Sequence, residues 1–315
     1  MANIATLSTT DTICIQDSTE YYIYISAFWH GFIDKTDANN IEIFEKLFSK
    51  TIIRNFKITN DLEKANVLFE SVFGSTLADI KEWKYKIFFS GEPYISNSDK
   101  YDLLLYSTET QGKIVDLPLY VAYIYNNNFL DRIINKPKIT KIPEKFCCFI
   151  VSNDVCETRN RMFHYLNQYK KVDSGGKYCN NIGYVIRENY WTDEFRAFIS
   201  NYKFIICFEN NKIATYSTEK IVNPYIAGSI PIYWSSAHIH NVFNKDSMLF
   251  LKDESMESYK KLINEIIELD NNDDKYLEFV NRPAFNEDMA YFNNNYNMDA
   301  IASKIDNVLL KKIIE

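Results

Sequence analysis

Two charged side chains, Glu219 and Lys220, stand where a helix is predicted to begin, directly after a polar loop. Ser217 and Thr218, which precede them, are good helix N-caps, so Lys220 falls in the first helical turn. The positive end of the helix dipole disfavours a cation at this position, and the same helix end attracts anions. A bound anion is therefore the simplest explanation for Lys220.

Arg159 repeats this arrangement earlier in the chain. Asp154-x-x-Glu157 resembles a capping box, which predicts that a helix begins just before Arg159. A cation near that helix start is again unfavourable unless an anion accompanies it. A surface arginine paired with a carboxylate is the alternative. Considered together with Lys220, Arg159 favours a second contact to a bound anion.

The elements around Lys220 are predicted to be a strand, a polar loop, a helix and a second strand. KFIICF at 203–208 and IPIYW at 230–234 are continuous apolar runs, as expected of strands that are buried on both faces. Gly228 is a good helix stop between them. This order predicts a parallel βαβ unit. Ligands of open α/β sheets bind beyond the carboxyl ends of such strands, where Glu209 and Asn210 lie.

Three motifs in this segment closely resemble the signature of the α-1,3/4-fucosyltransferases, glycosyltransferase family 10. They are Phe208-Glu209-Asn210, Tyr216-Ser217-Thr218-Glu219-Lys220 and Ile230-Pro231-Ile232-Tyr233-Trp234. Thr215 departs from the family, which usually has Gly before the Tyr; Gly permits a positive φ that Thr resists, so the loop and fine donor selectivity are expected to differ. Asp116 departs from a usual basic residue, and this reversal of charge could alter the acceptor or change a structural ion pair.

The resemblance implies a donor site for GDP-fucose. It implies that Lys220 contacts a phosphate and that Glu219 contacts the ribose. It also implies that Tyr216 and Asn210 surround the nucleotide-sugar and that Arg159 contacts the diphosphate. The donor-binding residues expected on this basis are Gly91, Val151, Ser152, Asn153, Arg159, Arg187, Asn210, Tyr216, Ser217, Thr218, Glu219 and Lys220.

Glu92 is the candidate catalytic base. The sequence FFSGEPYIS at 88–96 predicts a strand that ends at Gly91 and Glu92, and the family's Gly-Glu at this point contains its proposed general base. Transfer with inversion is a single in-line displacement that needs a base on the acceptor hydroxyl. A glutamate on a loop surface is the alternative. His30 is a rival base, and His30 and Trp29 are expected to line the acceptor site, where Trp29 could stack on a sugar face.

Short apolar runs separated by helical stretches predict a doubly wound parallel sheet in the first part of the chain. The segment 135–145, NKPKITKIPEK, has two prolines and four lysines, which is typical of a linker. The fold class predicted is α/β: a GT-B fold, as the resemblance implies, with two Rossmann-like doubly wound domains that face a central cleft. The expected divisions are an acceptor-side domain at 1–140, a donor-binding domain at 146–290 and a C-terminal helix at 291–315.

Bulk properties exclude several classes of protein. The 315 residues carry a net charge of −7, which argues against a general nucleic-acid binder. The six cysteines show no CxxC spacing, and His238-x-His240 has no acidic or cysteine cluster beside it, so no metal site is predicted. Residues 1–12 lack the basic and apolar regions of a signal peptide, and no apolar stretch approaches the roughly 18–20 residues of a membrane span. A soluble, cytoplasmic protein is expected, of undetermined oligomeric state.

The residues and the resemblance together predict an inverting α-1,3-fucosyltransferase. It would move L-fucose from GDP-β-L-fucose to a hydroxyl of a glycan acceptor. No cofactor is expected, and a divalent metal would be at most stimulatory, because two cations and two helix N-termini could neutralise the diphosphate. Two alternatives remain open: a GT-B enzyme that uses another nucleotide sugar, and a non-catalytic protein of this fold that binds glycans or nucleotides.

Overall fold

The chain forms two parallel β-sheets, each packed against helices. The structure is a computed structural model that describes residues 19–187 and 189–314. The expectation that residues 1–12 contain no signal peptide lies outside these described residues. Inner strands of both sheets, such as 67–70, 103–106 and 230–233, are buried on both faces, so they lack the alternation of a strand with one exposed face.

The first sheet contains six strands within the described residues. They are β1 (Tyr21–Ser26), β2 (Phe56–Ile58), β3 (Val67–Glu70), β4 (Tyr85–Ser90), β5 (Leu103–Tyr106) and β6 (Ile114–Asp116). All pair in parallel, in the order β2-β1-β3-β4-β5-β6. The helices of this half are α1 (Glu42–Phe48), α2 (Leu119–Asn126) and α3 (Phe129–Ile134). Parallel pairing places the carboxyl ends of all six strands at one edge of the sheet.

The second sheet contains five strands in the same described part of the chain. They are β7 (Lys145–Phe149), β8 (Val172–Ser174), β9 (Tyr202–Ile206), β10 (Ile230–Tyr233) and β11 (Leu249–Phe250), in the order β11-β10-β9-β7-β8. Its helices are α4 (Glu157–Tyr169), α5 (Asp193–Ile199), α6 (Glu219–Ala227), α7 (Met256–Asp270) and α8 (Asp273–Val280). Helix α6 follows Thr218 as N-cap and stops at Gly228, whose φ is 76°. The strand, helix and strand predicted around Lys220 are therefore confirmed.

The last two helices return to the first sheet. They are α9 (Ala290–Tyr296) and α10 (Met298–Ile314), so the span predicted as one C-terminal helix contains two. Ion pairs tie α10 to the first half: Lys50 to Asp299 at 2.7 Å and Lys312 to Asp102 at 2.6 Å. No helix among the described residues has the length and apolar content required to cross a membrane. The exact domain boundaries stay predictions.

Buried contacts between α2 and α6 join the two halves. The Tyr123 hydroxyl donates to Asn223 Oδ1 at 2.8 Å, and the Tyr120 N–H donates to the Ser217 carbonyl at 3.2 Å. A single hydrophobic core cluster includes residues from both sheets. These contacts hold the carboxyl edges of the two sheets near each other, and the two cavities described below lie along those edges.

Candidate active site

A cavity of about 450 Å³ lies beyond the carboxyl ends of β7 and β9, and we call it the donor cavity. Ile205, Cys207 and Phe195 contribute to its apolar wall. Its position follows the general rule for open α/β sheets. The structure brings together eight residues predicted to bind the donor: Val151, Ser152, Asn153, Arg159, Arg187, Asn210, Glu219 and Lys220. Their roles in binding stay predictions.

Arg159 enters this cavity as a buried cation, 2% exposed. Its guanidinium donates to Asn210 Oδ1 at 2.8 Å and to the Asn153 carbonyl at 3.2 Å. Among the described residues no carboxylate forms an ion pair with it, and its Nε is buried without a hydrogen-bond partner. The predicted alternative, a surface arginine paired with a carboxylate, is wrong. Burial lowers the pKa of Arg159, because desolvation penalises the charged form. A buried cation with neutral partners suits an anionic ligand.

Helix α4 begins differently from the prediction. Its N-cap is Cys156, which supplies no side-chain cap, while the Asp154 carbonyl accepts a hydrogen bond from Asn160 at 2.7 Å. The predicted capping box of Asp154 and Glu157 is therefore wrong. The backbone N–H groups of the first turn lack a side-chain cap, so this helix end beside Arg159 remains suited to an anion.

Lys220 lines the same cavity and already has two carboxylate neighbours. Its Nζ lies 3.5 Å from Glu209 and 3.5 Å from Glu219, and it donates to Thr218 Oγ1 at 3.0 Å. Burial opposes its charge, but Glu219 and Glu209 raise the pKa of Lys220 above its ordinary value. These acids supply a second reason for a cation in the first helical turn. A bound anion is thus compatible with Lys220 but is not needed to explain it.

Glu209 is the positioning residue that sequence reasoning missed. One oxygen of its fully buried carboxylate accepts from the Thr218 N–H and the Tyr233 hydroxyl, both at 2.8 Å. The other accepts from Thr218 Oγ1 at 2.9 Å. Burial raises the pKa of Glu209. The carboxylate fixes the start of α6 to β10 and so orients Lys220. The available signal was a glutamate directly after a buried strand. Because carboxylates are rarely buried without partners, this position predicts that Glu209 is hydrogen-bonded to neighbouring residues.

Four predicted donor residues do not line the donor cavity. Tyr216, Ser217 and Thr218 are each 2% exposed and form the buried approach to α6. Gly91 lines a different cavity. The structure gives the first three a supporting position, since Thr218 hydrogen-bonds the carboxylate of Glu209. Direct contact of these four residues with a donor stays a prediction.

A second cavity, of about 380 Å³, lies at the carboxyl ends of β1, β3 and β4, and we call it the acceptor cavity. Its lining residues are Trp29, His30, Asp37, Asn39, Phe73, Gly91, Glu92, Leu119 and Tyr190. The candidate base Glu92 and both residues expected to line the acceptor site, Trp29 and His30, therefore share one cavity. The Trp29 ring packs edge-on against Phe73, with ring centroids 5.6 Å apart.

Glu92 is half-buried at the end of β4. Its N–H donates to Ser90 Oγ at 3.2 Å, and Ser90 Oγ donates back to the Glu92 carbonyl at 3.3 Å, which fixes the backbone. No residue in the described part of the chain forms a hydrogen bond or ion pair with its carboxylate. A carboxylate that lines a cavity and has open lone pairs can accept a proton from a bound hydroxyl.

Tyr190 connects the two cavities, because it lines both. Sequence reasoning did not single it out, nor did it single out Asp37 and Asn39. The Tyr123 hydroxyl, from α2, lies 3.3 Å from the Tyr190 carbonyl. The two cavities are thus neighbouring parts of one cleft, with donor residues on one side of Tyr190 and Glu92 on the other.

The two departures from the family pattern contact each other. Thr215 Oγ1 donates to one oxygen of Asp116 at 2.5 Å, and the Tyr296 hydroxyl donates to the other at 2.6 Å. Burial raises the pKa of Asp116 to about 6. The positive φ of this loop, 33°, falls on Ala214 rather than on Thr215. Both of these partners are neutral hydroxyls, and Asp116 forms no ion pair with the described residues.

No group of three or more His, Cys, Asp or Glu side chains that could hold a metal occurs among the described residues. His238 pairs with the Tyr291 hydroxyl at 2.8 Å, and the His240 ring packs against Phe250. Whether the protein needs a cofactor stays a prediction.

The fold and the cleft define a class of protein: an α/β protein of two doubly wound domains with a basic donor cavity, the GT-B arrangement of glycosyltransferases. The chain belongs to glycosyltransferase family 10, since the family described as glycosyltransferase family 10 (fucosyltransferase), C-terminal part, matches residues 140–305. The resemblance stated from the motifs is confirmed.

Similarities to individual proteins agree with this membership. A protein of Acanthamoeba polyphaga mimivirus, provisionally named a fucosyltransferase, is 25% identical over 307 residues, which are 95% of this chain and 48% of that protein. The α-(1,3)-fucosyltransferase of Helicobacter pylori is 31% identical over 166 residues, 52% of this chain and 33% of that protein. The chain thus spans from about a third to about half the length of these relatives.

A solved structure confirms the fold. The crystal structure of an α1,3-fucosyltransferase with GDP-fucose has a TM-score of 0.69 to this chain at 21% sequence identity. The match covers 98% of this chain and 94% of the other. At 21% sequence identity, this similarity shows a shared fold. It confirms the predicted GT-B fold.

Proposed function

We propose that this protein is an inverting α-1,3-fucosyltransferase that transfers L-fucose from GDP-β-L-fucose to a hydroxyl of a glycan. The observation that supports this most is the buried guanidinium of Arg159, which has no carboxylate partner in the described residues and shares a cavity with Lys220. The names of the relatives support the choice of sugar, because the H. pylori relative is an α-(1,3)-fucosyltransferase. The structural neighbour solved with GDP-fucose supports the choice of nucleotide.

The donor cavity suits a sugar diphosphate. Arg159 and the uncapped start of α4 would bind the diphosphate from one side, and Lys220 at the start of α6 would bind it from the other. Glu219, which is 14% exposed and lies beside Lys220, would accept hydrogen bonds from the ribose hydroxyls. As the bond to the sugar breaks, negative charge grows on the leaving phosphate oxygen, and fixed cations stabilise it.

The acceptor cavity suits the other half of the reaction. The acceptor oxygen would attack C1 of fucose while the bond from C1 to the phosphate oxygen breaks, and GDP would leave with the electron pair. The carboxylate of Glu92 would take the proton of the attacking hydroxyl. A single displacement converts the β-linked donor into an α-linked product, which is the inversion proposed here.

The proposal carries two further expectations. The reaction would need no metal ion, because Arg159, Lys220 and the two helix starts supply the positive charge. The protein would act as a soluble cytoplasmic enzyme.

A product assay tests the proposal. The purified chain would be incubated with GDP-β-L-fucose and a panel of neutral oligosaccharides, with and without EDTA. We expect one added deoxyhexose by mass spectrometry and an α-anomeric signal by NMR, with turnover retained in EDTA. A β-linked product would overturn inversion. Transfer from a UDP-sugar or another nucleotide sugar, with none from GDP-fucose, would assign the donor cavity to that substrate. Donor binding without any transfer would favour a non-catalytic protein.

A further inference from the structure

The acceptor cavity is acidic. Two of its lining residues are carboxylates, Asp37 and Glu92, and in the described part of the chain no lysine or arginine lines it. Among the described residues that line it, His30 has the remaining basic side chain. The donor cavity, in contrast, is lined by Arg159, Arg187 and Lys220. A ligand of the acceptor cavity therefore meets net negative charge.

Asp37 lines the acceptor cavity, and its carboxylate is held by hydrogen bonds from the Asn39 backbone and the Trp29 side chain. One oxygen accepts from the Asn39 N–H at 2.8 Å, which fixes the loop after β1. Burial raises the pKa of Asp37 against the effect of that hydrogen bond, and the negative charge of Glu219 raises it further. Glu219 lines the donor cavity, so Asp37 lies close enough to the donor side to sense its charge.

Asn39 is 5% exposed and incompletely hydrogen-bonded. Its Nδ2 donates to the Tyr190 hydroxyl at 3.0 Å, across the boundary between the two halves of the protein. Its Oδ1 is buried and has no hydrogen-bond partner among the described residues. Buried polar atoms normally have partners, and one left without a partner costs free energy that a bound hydroxyl could recover.

We propose that Asp37 and Asn39 bind the hydroxyl groups of the acceptor sugar, and that the carboxylates of this cavity restrict the acceptor to neutral or amino sugars. This inference rests on the proposed function and names the substrate class of its acceptor half. The carboxylate of Asp37 and the amide oxygen of Asn39 can each accept from a sugar hydroxyl. The Trp29 ring offers an apolar face for a sugar ring. A carboxylate on the ligand would face two like charges at short range.

The arrangement also positions the acceptor for reaction. Because Asn39 bonds to Tyr190, which lines both cavities, a sugar bound by Asn39 and Asp37 lies beside the passage to the donor cavity. Glu92 lies in the same cavity and would meet the hydroxyl that reacts. Asp37 thus acts as a binding residue, and Glu92 remains the base.

The experiment compares a neutral acceptor with its acidic analogue. The best neutral oligosaccharide of the panel would be assayed beside the same sugar oxidised from hydroxymethyl to carboxylate, at a pH of about 8, several units above ordinary carboxyl pKa values. For the wild type we expect kcat/KM to be at least about tenfold lower for the acidic sugar. Asp37→Asn should raise the KM of the neutral acceptor by about tenfold, change kcat by less than about threefold, and narrow the difference between the two sugars.

Asp34→Asn is the matched control. Asp34 lies on the same loop, is exposed and does not line the acceptor cavity, and its carboxylate accepts hydrogen bonds from Thr36 within its own turn. Its loss should change neither the KM nor the discrimination. Calorimetric titration of both variants with GDP-fucose checks that the donor site is intact and that each variant is folded.

Three outcomes would overturn the inference. The first is equal use of the neutral and acidic sugars by the wild type. The second is a loss of kcat at constant KM in Asp37→Asn, which would make Asp37 a base rather than a binding residue. The third is an equal effect of Asp34→Asn. If the wild type neither binds nor uses GDP-fucose, the proposed function fails instead. NMR titration of the two sugars with the protein would then still test the charge preference.

Discussion

The two cavities of this cleft are built in different ways. In the donor cavity, Lys220 lies near two carboxylates, those of Glu209 and Glu219, and Glu209 behind it is fixed by three hydrogen bonds. In the acceptor cavity, the carboxylate of Glu92 has no partner in the described residues. Asn39 Oδ1, which is buried there, has none either.

This difference indicates what each cavity contributes. A network of fixed charges can stabilise a leaving diphosphate without reorganisation, which is what donor activation requires. Groups with open lone pairs can bind and deprotonate an incoming hydroxyl, which is what the acceptor side requires. Substitution of Lys220 should therefore affect both stability and activity, whereas substitution of Glu92 should affect activity alone.

The largest effect is expected from Glu92→Gln. Gln keeps the size of the side chain but cannot take the proton of the acceptor, so kcat should fall by about 10²–10⁴-fold. The affinity for GDP-fucose and the Tm should not change, because the Glu92 carboxylate forms no hydrogen bond or ion pair with the described residues and lies outside the donor cavity. Steady-state kinetics and calorimetric titration measure the two quantities.

His30→Ala is the control for this prediction. His30 is exposed in the same cavity and is the rival base. Its loss should raise the acceptor KM more than it lowers kcat. If Glu92→Gln stays active while His30→Ala loses turnover, the base is His30. If Glu92→Gln loses donor binding, Glu92 positions the donor.

The next effect is expected from the two donor-cavity cations. Arg159→Ala and Lys220→Ala should each lower kcat/KM for GDP-fucose by about 10²–10³-fold, because each removes a group that stabilises the leaving phosphate. Their effects on Tm should differ. Lys220→Ala leaves the buried Glu209 without a neighbouring cation and should lower the Tm. Arg159→Ala removes a buried charge that forms no ion pair with a carboxylate of the described residues, so its Tm should fall less.

Lys212→Ala is the matched control, because Lys212 lies in the loop before α6, the helix of Lys220, but lines neither the donor cavity nor the acceptor cavity. Lys212→Ala should change neither the kcat/KM for GDP-fucose nor the Tm. Equal Tm losses in Arg159→Ala and Lys220→Ala would contradict the distinction drawn between a paired and an unpaired cation. Unchanged kcat/KM in either variant would remove that residue from the donor site.

The smallest effect on transfer is expected from Asp116→Asn, which should alter the pH dependence of stability instead. Asp116 has an ordinary pKa of 3.8 and a folded pKa of about 6, so the folded state binds the extra proton. The raised pKa of Asp116 therefore adds up to about 3 kcal/mol to the free energy of unfolding below about pH 4. This contribution decreases as the pH rises and is lost once the pH has passed about 6. Denaturant titrations at several pH values should show this loss in the wild type and not in the variant. A wild-type stability that rises over this interval relative to Asp116→Asn would contradict the burial argument.

The sequence predicted the donor side better than the acceptor side, because its signals there are local. The apolar run at 203–208, the N-cap Thr218 and the stop at Gly228 lie within one short segment, and the strand and helix formed there as predicted. Even so, the role of Glu209 was missed, since its partner Tyr233 lies 24 residues away on the next strand.

The acceptor side depends on contacts that no local pattern encodes. Asn39 meets Tyr190 across 151 residues of chain, and neither belongs to a motif. Similarly, Thr215 and Asp116, noted separately as departures from the family, are 99 residues apart and directly bonded. Short strands such as β2, β6 and β11, of two or three residues, carry too little pattern to be predicted.

The central claim is that the donor cavity binds GDP-fucose through Arg159 and Lys220. The most direct test is calorimetric titration of the wild-type protein with GDP, GDP-fucose and a UDP-sugar such as UDP-galactose, without metal. The account predicts that GDP and GDP-fucose bind and that the UDP-sugar binds at least about tenfold more weakly, a difference of about 1.4 kcal/mol. Equal or tighter binding of the UDP-sugar would contradict it.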